Sequence, residues 1–579
     1  MVIVMKTLID LNNLTFGHDS NILLSDISVS IMAGDRIGLV GDNGSGKSTL
    51  LSILNKTLTP QKGDVIYRRG LKVESVEQFL PEYLLDKSII EAVSEKLDDP
   101  ISNIHIAQKL LLDLHFTEDQ FDILIGGLSG GQKNRLMMAR AFITKPDVVF
   151  FDEPTNHLDL KNLVFFEEIL KNQCQFTFVI ISHDRSILDT TTNRTIFVRD
   201  KNVYHFEGGY STALVNLQKE DQLRKLRLEK EQKEIDRIKA SAKRLAIWGK
   251  VYDNEDLSRK AKSMEKRVDK LEVTKTQLDK TSSLTLSLDT KEQKSKMAVE
   301  IKNFDVNVPG HPDKKLFSIE KLYLKQGEKV ALLGENGVGK TTLITILSKA
   351  IRAEEEFGEI RIAPNTFLGL YDQQQQELEV KNTIWEELRS KLDCVDNEIK
   401  MNLIRAGFAI DRHHDKIGNL SGGERARIVF IILSTLRPNF MILDEPTNHL
   451  DIKGKEELEH ILKGSSATLI VTGHDRAFID SVASRFLVVK NGKLYEESSP
   501  NYFYDSFLNS EEIQSNMAAT ASAATKEFIQ GSEEDLLEKL LVLEKKLGDD
   551  LARRPKFQKI KLQSNWREEI KAIKKELKL

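Results

Sequence analysis

The chain has little cysteine, no long apolar run and almost no net charge. Its two cysteines, Cys174 and Cys394, lie far apart without metal-ligand spacing. That excludes a disulfide framework or zinc module and leads us to expect reduced thiols in a cytoplasmic protein. No window approaches the roughly 18 apolar residues of a membrane helix. The longest apolar runs, such as FVII and VVFF, have strand length. The N-terminal MVIVMKTLIDLNNL lacks a secretory h-region and cleavage site and reads as the first strand of a domain. A formal net charge of −4 selects no partner for the whole chain, although local charge can. What the 579 residues do contain is 40% hydrophobic and 30% charged side chains, the composition of buried cores under a charged exterior.

They also contain a repeat. FFDEPTNHLDL (150–160) returns as MILDEPTNHLDI (441–452), GDNGSGKSTL (41–50) as GENGVGKTTL (334–343), LSGGQKNR (128–135) as LSGGERAR (420–427), and SHDR (182–185) as GHDR (473–476). Each pair is about 290 residues apart, so two cassettes are colinear, element by element.

Each glycine-rich loop follows an apolar strand, RIGLV or KVALL, and leads into a helix, STLLSILN or TTLITILS. This is the context that G-x-x-x-x-G-K-[ST] requires. Glycines let successive N–H groups wrap phosphate oxygens, and the helix N-terminus favours the anion. The phosphate-binding set is Gly41, Asn43, Gly44, Gly46, Lys47, Ser48 and Thr49, repeated as Gly334, Asn336, Gly337, Gly339, Lys340, Thr341 and Thr342. Lys47 and Lys340 reach the outer phosphates, while Ser48 and Thr341 can hold Mg²⁺.

VVFFDE and NFMILDE are buried-strand patterns ending in two carboxylates, and open α/β sheets place ligands at the carboxyl ends of strands. Asp152 and Asp444 suit Mg²⁺. Glu153 and Glu445 can accept a proton from an attacking water. His183 and His474 follow further apolar strands and can donate to the outer phosphate. A lone histidine of this kind is more often structural; repetition at matching offset favours the functional reading.

In this order the motifs resemble the ATP-binding cassette (ABC) ATPases, whose signature loop is LSGG. The resemblance covers both cassettes. It implies head-to-tail closure on two ATPs, with Lys47 facing Ser421, Gly422 and Gly423, and Lys340 facing Ser129, Gly130 and Gly131. It places Gln78 and Gln373 as Mg²⁺-sensing glutamines and Phe16 as the adenine-stacking ring. Val306 occupies the equivalent second position, with Phe304 two residues earlier. EPTNHLD, with two cassettes and no membrane segment, resembles the ABC-F subfamily, whose members bind ribosomes rather than transport solutes. LSGGQ departs from the more usual LSGGE. The spacing from Gln78 to Ser129 nearly equals that from Gln373 to Ser421, so no arm is inserted in the first cassette. That places the chain with armless members, Uup-like or antibiotic-resistance-like.

Between the cassettes, residues 214–272 are charged and proline-free. Ile235, Ile238 and Leu245, then Met264, Val268 and Leu271, have helical spacing and predict an antiparallel hairpin turning near 248–257. Its middle carries Arg237, Lys239, Lys243, Arg244 and Lys250 without an acid, then Arg259, Lys260, Lys262, Lys266 and Arg267. Trp248 and Tyr252 lie at the turn. By charge alone this is equally a solvated face or an RNA-binding surface. The family resemblance implies the second: contact with rRNA and P-site tRNA near the ribosomal exit site. Beyond residue 509, MAATASAATKEF reads as a tether. Leu536, Leu540, Leu543 and Leu547, then Trp566, Ile570, Ile573 and Leu577, flank Pro555 and suggest a small coiled coil. It is either a packing module or, as the resemblance to Uup-like proteins implies, an additional RNA-binding hairpin.

The expected fold is α/β: two tandem ABC-type P-loop ATPase domains (1–212 and 298–508) joined by a helical hairpin linker (213–297). A tether (509–532) and a C-terminal coiled-coil hairpin (533–579) follow. The expected function is a cytoplasmic, ribosome-associated ATPase using ATP and Mg²⁺, monomeric with an intramolecular cassette dimer. It would modulate translation by rescuing stalled ribosomes or protecting them from antibiotics. The alternatives are an energy-coupling transporter subunit, which would give the basic linker no purpose, and a DNA-repair or chromosome ATPase, for which the coiled segments are short.

Overall fold

The computed structural model describes residues 6–18, 21–77, 80–156, 158–173, 176–251, 255–273, 296–372, 378–448 and 450–508. Gln78, Gln373, Tyr252, Cys174, the tether and the C-terminal coiled coil lie outside the described residues.

The first cassette is built on two sheets. A six-stranded sheet runs Val73–Val76, Val148–Asp152, Thr177–Ile181, Arg36–Val40, Arg194–Arg199, Asn202–Glu207; a three-stranded antiparallel sheet runs Asn21–Met32, Thr7–His18, Lys62–Tyr67. The inner strands of the six-stranded sheet pair in parallel and are buried along their length. Burial on both faces explains why they read as continuous apolar runs rather than alternating ones. In the second cassette the corresponding strands form one nine-stranded sheet among the described residues. There Ser318 pairs with Lys493 and joins the antiparallel and parallel parts. The expected strands, loops and helices occur in order: Arg36–Val40 leads to the helix Lys47–Leu54, and Lys329–Gly334 to Lys340–Ile351.

The cassettes interlock through their cores. Leu160 and Val164 of the first pack into the core of the second, and Ile452 of the second packs into the core of the first. Leu160 and Ile452 both follow an EPTNHLD run. Burying each contributes about 1.5–3 kcal/mol by apolar area alone.

The linker forms helices Tyr210–Val251 and Glu255–Val273. Of the expected seam Ile235 and Val268 are buried, together with Ala242 and Ala261, while Ile238, Leu245, Met264 and Leu271 are half-buried. The first helix starts ahead of residue 213. Gly208, at φ +100°, turns the chain out of the strand Asn202–Glu207, and buried Tyr210 opens the helix against the first cassette's core. The ten basic linker residues are all exposed, and Trp248 is 52% exposed.

Candidate functional site: two paired nucleotide centres

Both P-loops have the same build. Gly46 (φ 99°) and Gly339 (φ 107°) sit in the left-handed region and open their helices without a side-chain cap, leaving the first-turn N–H groups available to an anion. A Cβ on Gly41 would lie 2.4 Å from the Val198 carbonyl oxygen, so only glycine fits. Lys47 Nζ donates to the carbonyls of Gly41 (2.8 Å) and Asp42 (3.0 Å); Lys340 Nζ donates to those of Gly334 (2.8 Å) and Glu335 (2.9 Å). Burial pulls both amines below the usual lysine range, opposed by Glu153 and Asp451 around Lys47 and by Glu445, Asp444 and Asp159 around Lys340. Asp451 and Asp159 belong to the opposite cassette in each case.

At the strand ends, Ser48 Oγ donates to Asp152 Oδ1 (3.4 Å) and Thr341 Oγ1 to Asp444 Oδ2 (3.2 Å). Hydroxyl and carboxylate oxygens are hard donors of the kind Mg²⁺ takes. No cluster of three or more metal-ligating acids, histidines or cysteines occurs among the described residues. Burial raises both aspartates, with the adjoining glutamate adding to it.

Glu153 and Glu445 have positive φ, 48° and 51°, a conformation rare for non-glycine residues and concentrated at functional sites. Each carboxylate is gripped on both oxygens. His183 Nε2 lies 3.3 Å and His474 Nε2 3.5 Å from the respective Oε1, while Asn156 and Asn448 donate to Oε2 at 2.5 and 2.6 Å. The His183 contact holds Glu153 below the usual carboxylate range; at Glu445 burial opposes the charge, but His474 and Asn448 outweigh it.

Ser129 and Ser421 cap the helices Gly130–Phe142 and Gly422–Leu436 through capping boxes with Gln132 and Glu424. A Cβ on Gly131 would strike the Asn162 amide at 2.2 Å. A cavity of about 460 Å³ lies between the cassettes, lined among others by Asn43, Glu153 and His183 of the first and Ser421, Gly423 and His474 of the second. The first P-loop and second signature loop therefore share a space; Ser129 and Gly131 do not line it. Asn43 N–H reaches across to Asp451 Oδ2 (3.2 Å). Lys455 Nζ bonds Asp475 Oδ2 (2.7 Å) and the His183 carbonyl (2.9 Å). Phe16 is buried in the antiparallel sheet; Phe304 and Val306 are buried too.

Sequence reasoning missed several of these groups. Asn156, Asn448, Asp159 and Asp451 stand inside the repeated EPTNHLD run, so the signal was present and unread. Lys455 carried none.

Two P-loop sites, each faced by an aspartate of the opposite cassette and the first also by the opposite signature turn, define a tandem nucleotide-hydrolysing cassette protein. The ABC transporter family model matches residues 24–156 and 318–448, and its extension model matches 196–286. ABC transporter F family member 2 of Arabidopsis thaliana is 31% identical over 553 residues, covering 86% of this chain and 78% of that protein. Ribosome protection protein VmlR of Bacillus subtilis is 29% identical over 514 residues, covering 85% and 88%. The chain belongs to the ABC-F family and is an ATP-binding ATPase. The archaeal ribosome recycling factor aABCE1, solved with stalk protein aP1, shares the fold at TM-score 0.57 and 20% identity, covering 86% of this chain and 92% of that one. No helix among the described residues is long and apolar enough to cross a membrane.

Proposed function

We propose that this ATPase acts on the ribosome. ATP binding closes the cassettes and holds the basic hairpin against rRNA and P-site tRNA near the exit site; hydrolysis releases it. The outcome is rescue of stalled ribosomes or protection from an antibiotic. The carrying observation is the root of the hairpin. Tyr210 opens the first linker helix, packs in the first cassette's core, and donates its hydroxyl to Glu456 of the second (2.9 Å). Cassette closure is thereby tied to linker position, and the linker beyond carries an exposed basic face. Contacts from such a face to phosphates give salt-dependent affinity. The relative named a ribosome protection protein supports the same reading.

In the chemical step, Lys47 and Lys340 and the P-loop N–H groups bind the phosphates. The signature turns of the opposite cassette, Ser421–Gly423 over Lys47 and Ser129–Gly131 over Lys340, close the sites. Asp152 with Ser48, and Asp444 with Thr341, would hold Mg²⁺, with Gln78 and Gln373 beside it, and the ion would supply charge neutralisation at the phosphates. Glu153 and Glu445, kept ionised, take the proton of the attacking water. His183 and His474 orient these glutamates and donate to the outer phosphate. Phe16 marks the adenine end of the first site.

The test is a chain carrying Glu153→Gln and Glu445→Gln, sedimented from a lysate through sucrose with ATP. Co-migration with ribosomes and arrested translation are expected. Migration with membranes, or retention that depends on DNA, would overturn the proposal.

A further inference from the structure

The two ATP sites are repeats, yet one hydroxyl distinguishes them. In parallel strand pairs of the two sheets Asp152 is registered with Ile181, and Asp444 with Thr472. Thr472 Oγ1 donates to Asp444 Oδ1 at 2.5 Å and accepts the Glu445 N–H at 3.3 Å. With Thr341 on Oδ2, both Asp444 oxygens are held. In the first cassette Ile181 has no hydroxyl. Among the described residues Asp152 takes a side-chain hydrogen bond from Ser48 alone, at 3.4 Å, and Glu153 N–H bonds the Ile181 carbonyl (3.0 Å) as Glu445 N–H bonds that of Thr472 (3.2 Å).

The next position is exchanged in the opposite sense. Ser182 stands in the first cassette where Gly473 stands in the second. The Ser182 hydroxyl lies 3.1 Å from Thr155 Oγ1 and accepts the Asp184 N–H at 3.0 Å. Each strand end thus has one hydroxyl, but in the first cassette it serves the histidine turn, and in the second it joins the carboxylates.

We propose that Thr472 is a positioning residue: it pre-sets Asp444 and Glu445 so that the second site holds its divalent cation more firmly than the first. This rests on the assignment of Asp444 to the metal. A hydroxyl has one proton to donate and lone pairs to accept with, so Thr472 can serve both residues at once. Outer groups that orient a ligating carboxylate typically change metal affinity about 10–100-fold.

The experiment titrates the full chain with Mn²⁺ in the presence of a non-hydrolysable ATP analogue, reading free Mn²⁺ by electron paramagnetic resonance. Two unequal dissociation constants are expected. Thr472→Val, which puts a branched apolar side chain where the other cassette already carries one, weakens the tighter constant by about 10–100-fold. Thr472→Ser preserves it, and Ile181→Thr strengthens the weaker one. Asp444→Asn identifies which constant belongs to the second site. The inference is overturned if Asp444→Asn weakens that constant while Thr472→Val leaves it within about twofold of wild type, or if the Ser and Val variants fall together. If Asp444→Asn moves neither constant, the metal assignment itself fails and this inference falls with it.

Discussion

Arg185, opening a short helix of the first cassette, is ion-paired with Glu459 of the second, and Arg476 with Glu167 repeats the pair with the cassettes exchanged. All four side chains are mostly buried, and each guanidinium is held above its usual range by its glutamate against the opposing effect of burial. These pairs clamp the cassettes close in sequence to His183 and His474.

Removing one partner of such a pair leaves a buried charge. Arg185→Ala is expected to destabilise the protein by about 3 kcal/mol, the lower end for broken buried pairs. In a denaturation double-mutant cycle, Arg185→Ala with Glu459→Ala should cost less than the two singles added, by about 0.5–3 kcal/mol. Strict additivity would show that the pair is not coupled.

The glutamates are expected to carry the proton transfer. Glu153→Gln and Glu445→Gln together should lower steady-state ATPase turnover by about 10²–10⁴-fold while ATP binding persists. Asn156→Ala and Asn448→Ala should lower turnover less, because each glutamate keeps its histidine.

The pH response follows from opposite shifts at neighbouring carboxylates. Glu153 is depressed, so its stabilising contribution is present above the unfolded carboxylate pKa and is lost as pH falls through its lower folded value. Asp152 is raised by burial and Glu153, so its contribution is favourable at low pH and is lost as pH rises through its folded value, leaving a cost at neutrality. Asp152→Asn is therefore expected to raise the melting temperature of the nucleotide-free protein at pH 7, with the gain shrinking below the unfolded carboxylate range. It should also reduce the further stabilisation by Mg²⁺ with ATP. Thermal unfolding across pH, with and without Mg²⁺ and ATP, measures both.

Neutralising the linker should act on partners and not on folding. Replacing Arg237, Lys239, Lys243 and Arg244 by Gln is expected to change stability by no more than about 0.5 kcal/mol per site, since all four are exposed. Each lost phosphate contact should flatten the log–log salt dependence of RNA or ribosome binding by about 0.7–0.9. Unchanged binding and slope would show that this face does not meet RNA.

Much of the cassette core was legible because its signals are local. RIGLV and VVFFD are buried parallel strands, and such strands are apolar throughout; Gly46 and Gly339 mark left-handed turns that other residues resist. The linker seam was legible for the same reason, since Ile235 recurs with Ile238 on one helix and Val268 with Met264 on the other at helical spacing. Lys455 was not: it stands where the first cassette has Leu163, and its partners, Asp475 and the His183 carbonyl, meet it only after both cassettes fold. From the sequence Trp248 could equally have packed the hairpin closed or stood ready to stack on bases; packing left it half exposed.

By itself the sequence determined that two phosphate loops, two acidic strand ends and two signature turns recur in one order with a basic helical segment between them. Short-range backbone sterics and hydrophobic period suffice for that. Only the tertiary structure decided that Asn43 meets Asp451, that Tyr210 ties the linker root to Glu456, and that Thr472 serves one site while Ile181 leaves the other without a matching hydroxyl. Those relations join residues far apart in the chain or on neighbouring strands. They depend on how two cores interlock and how strands register, which no local pattern encodes.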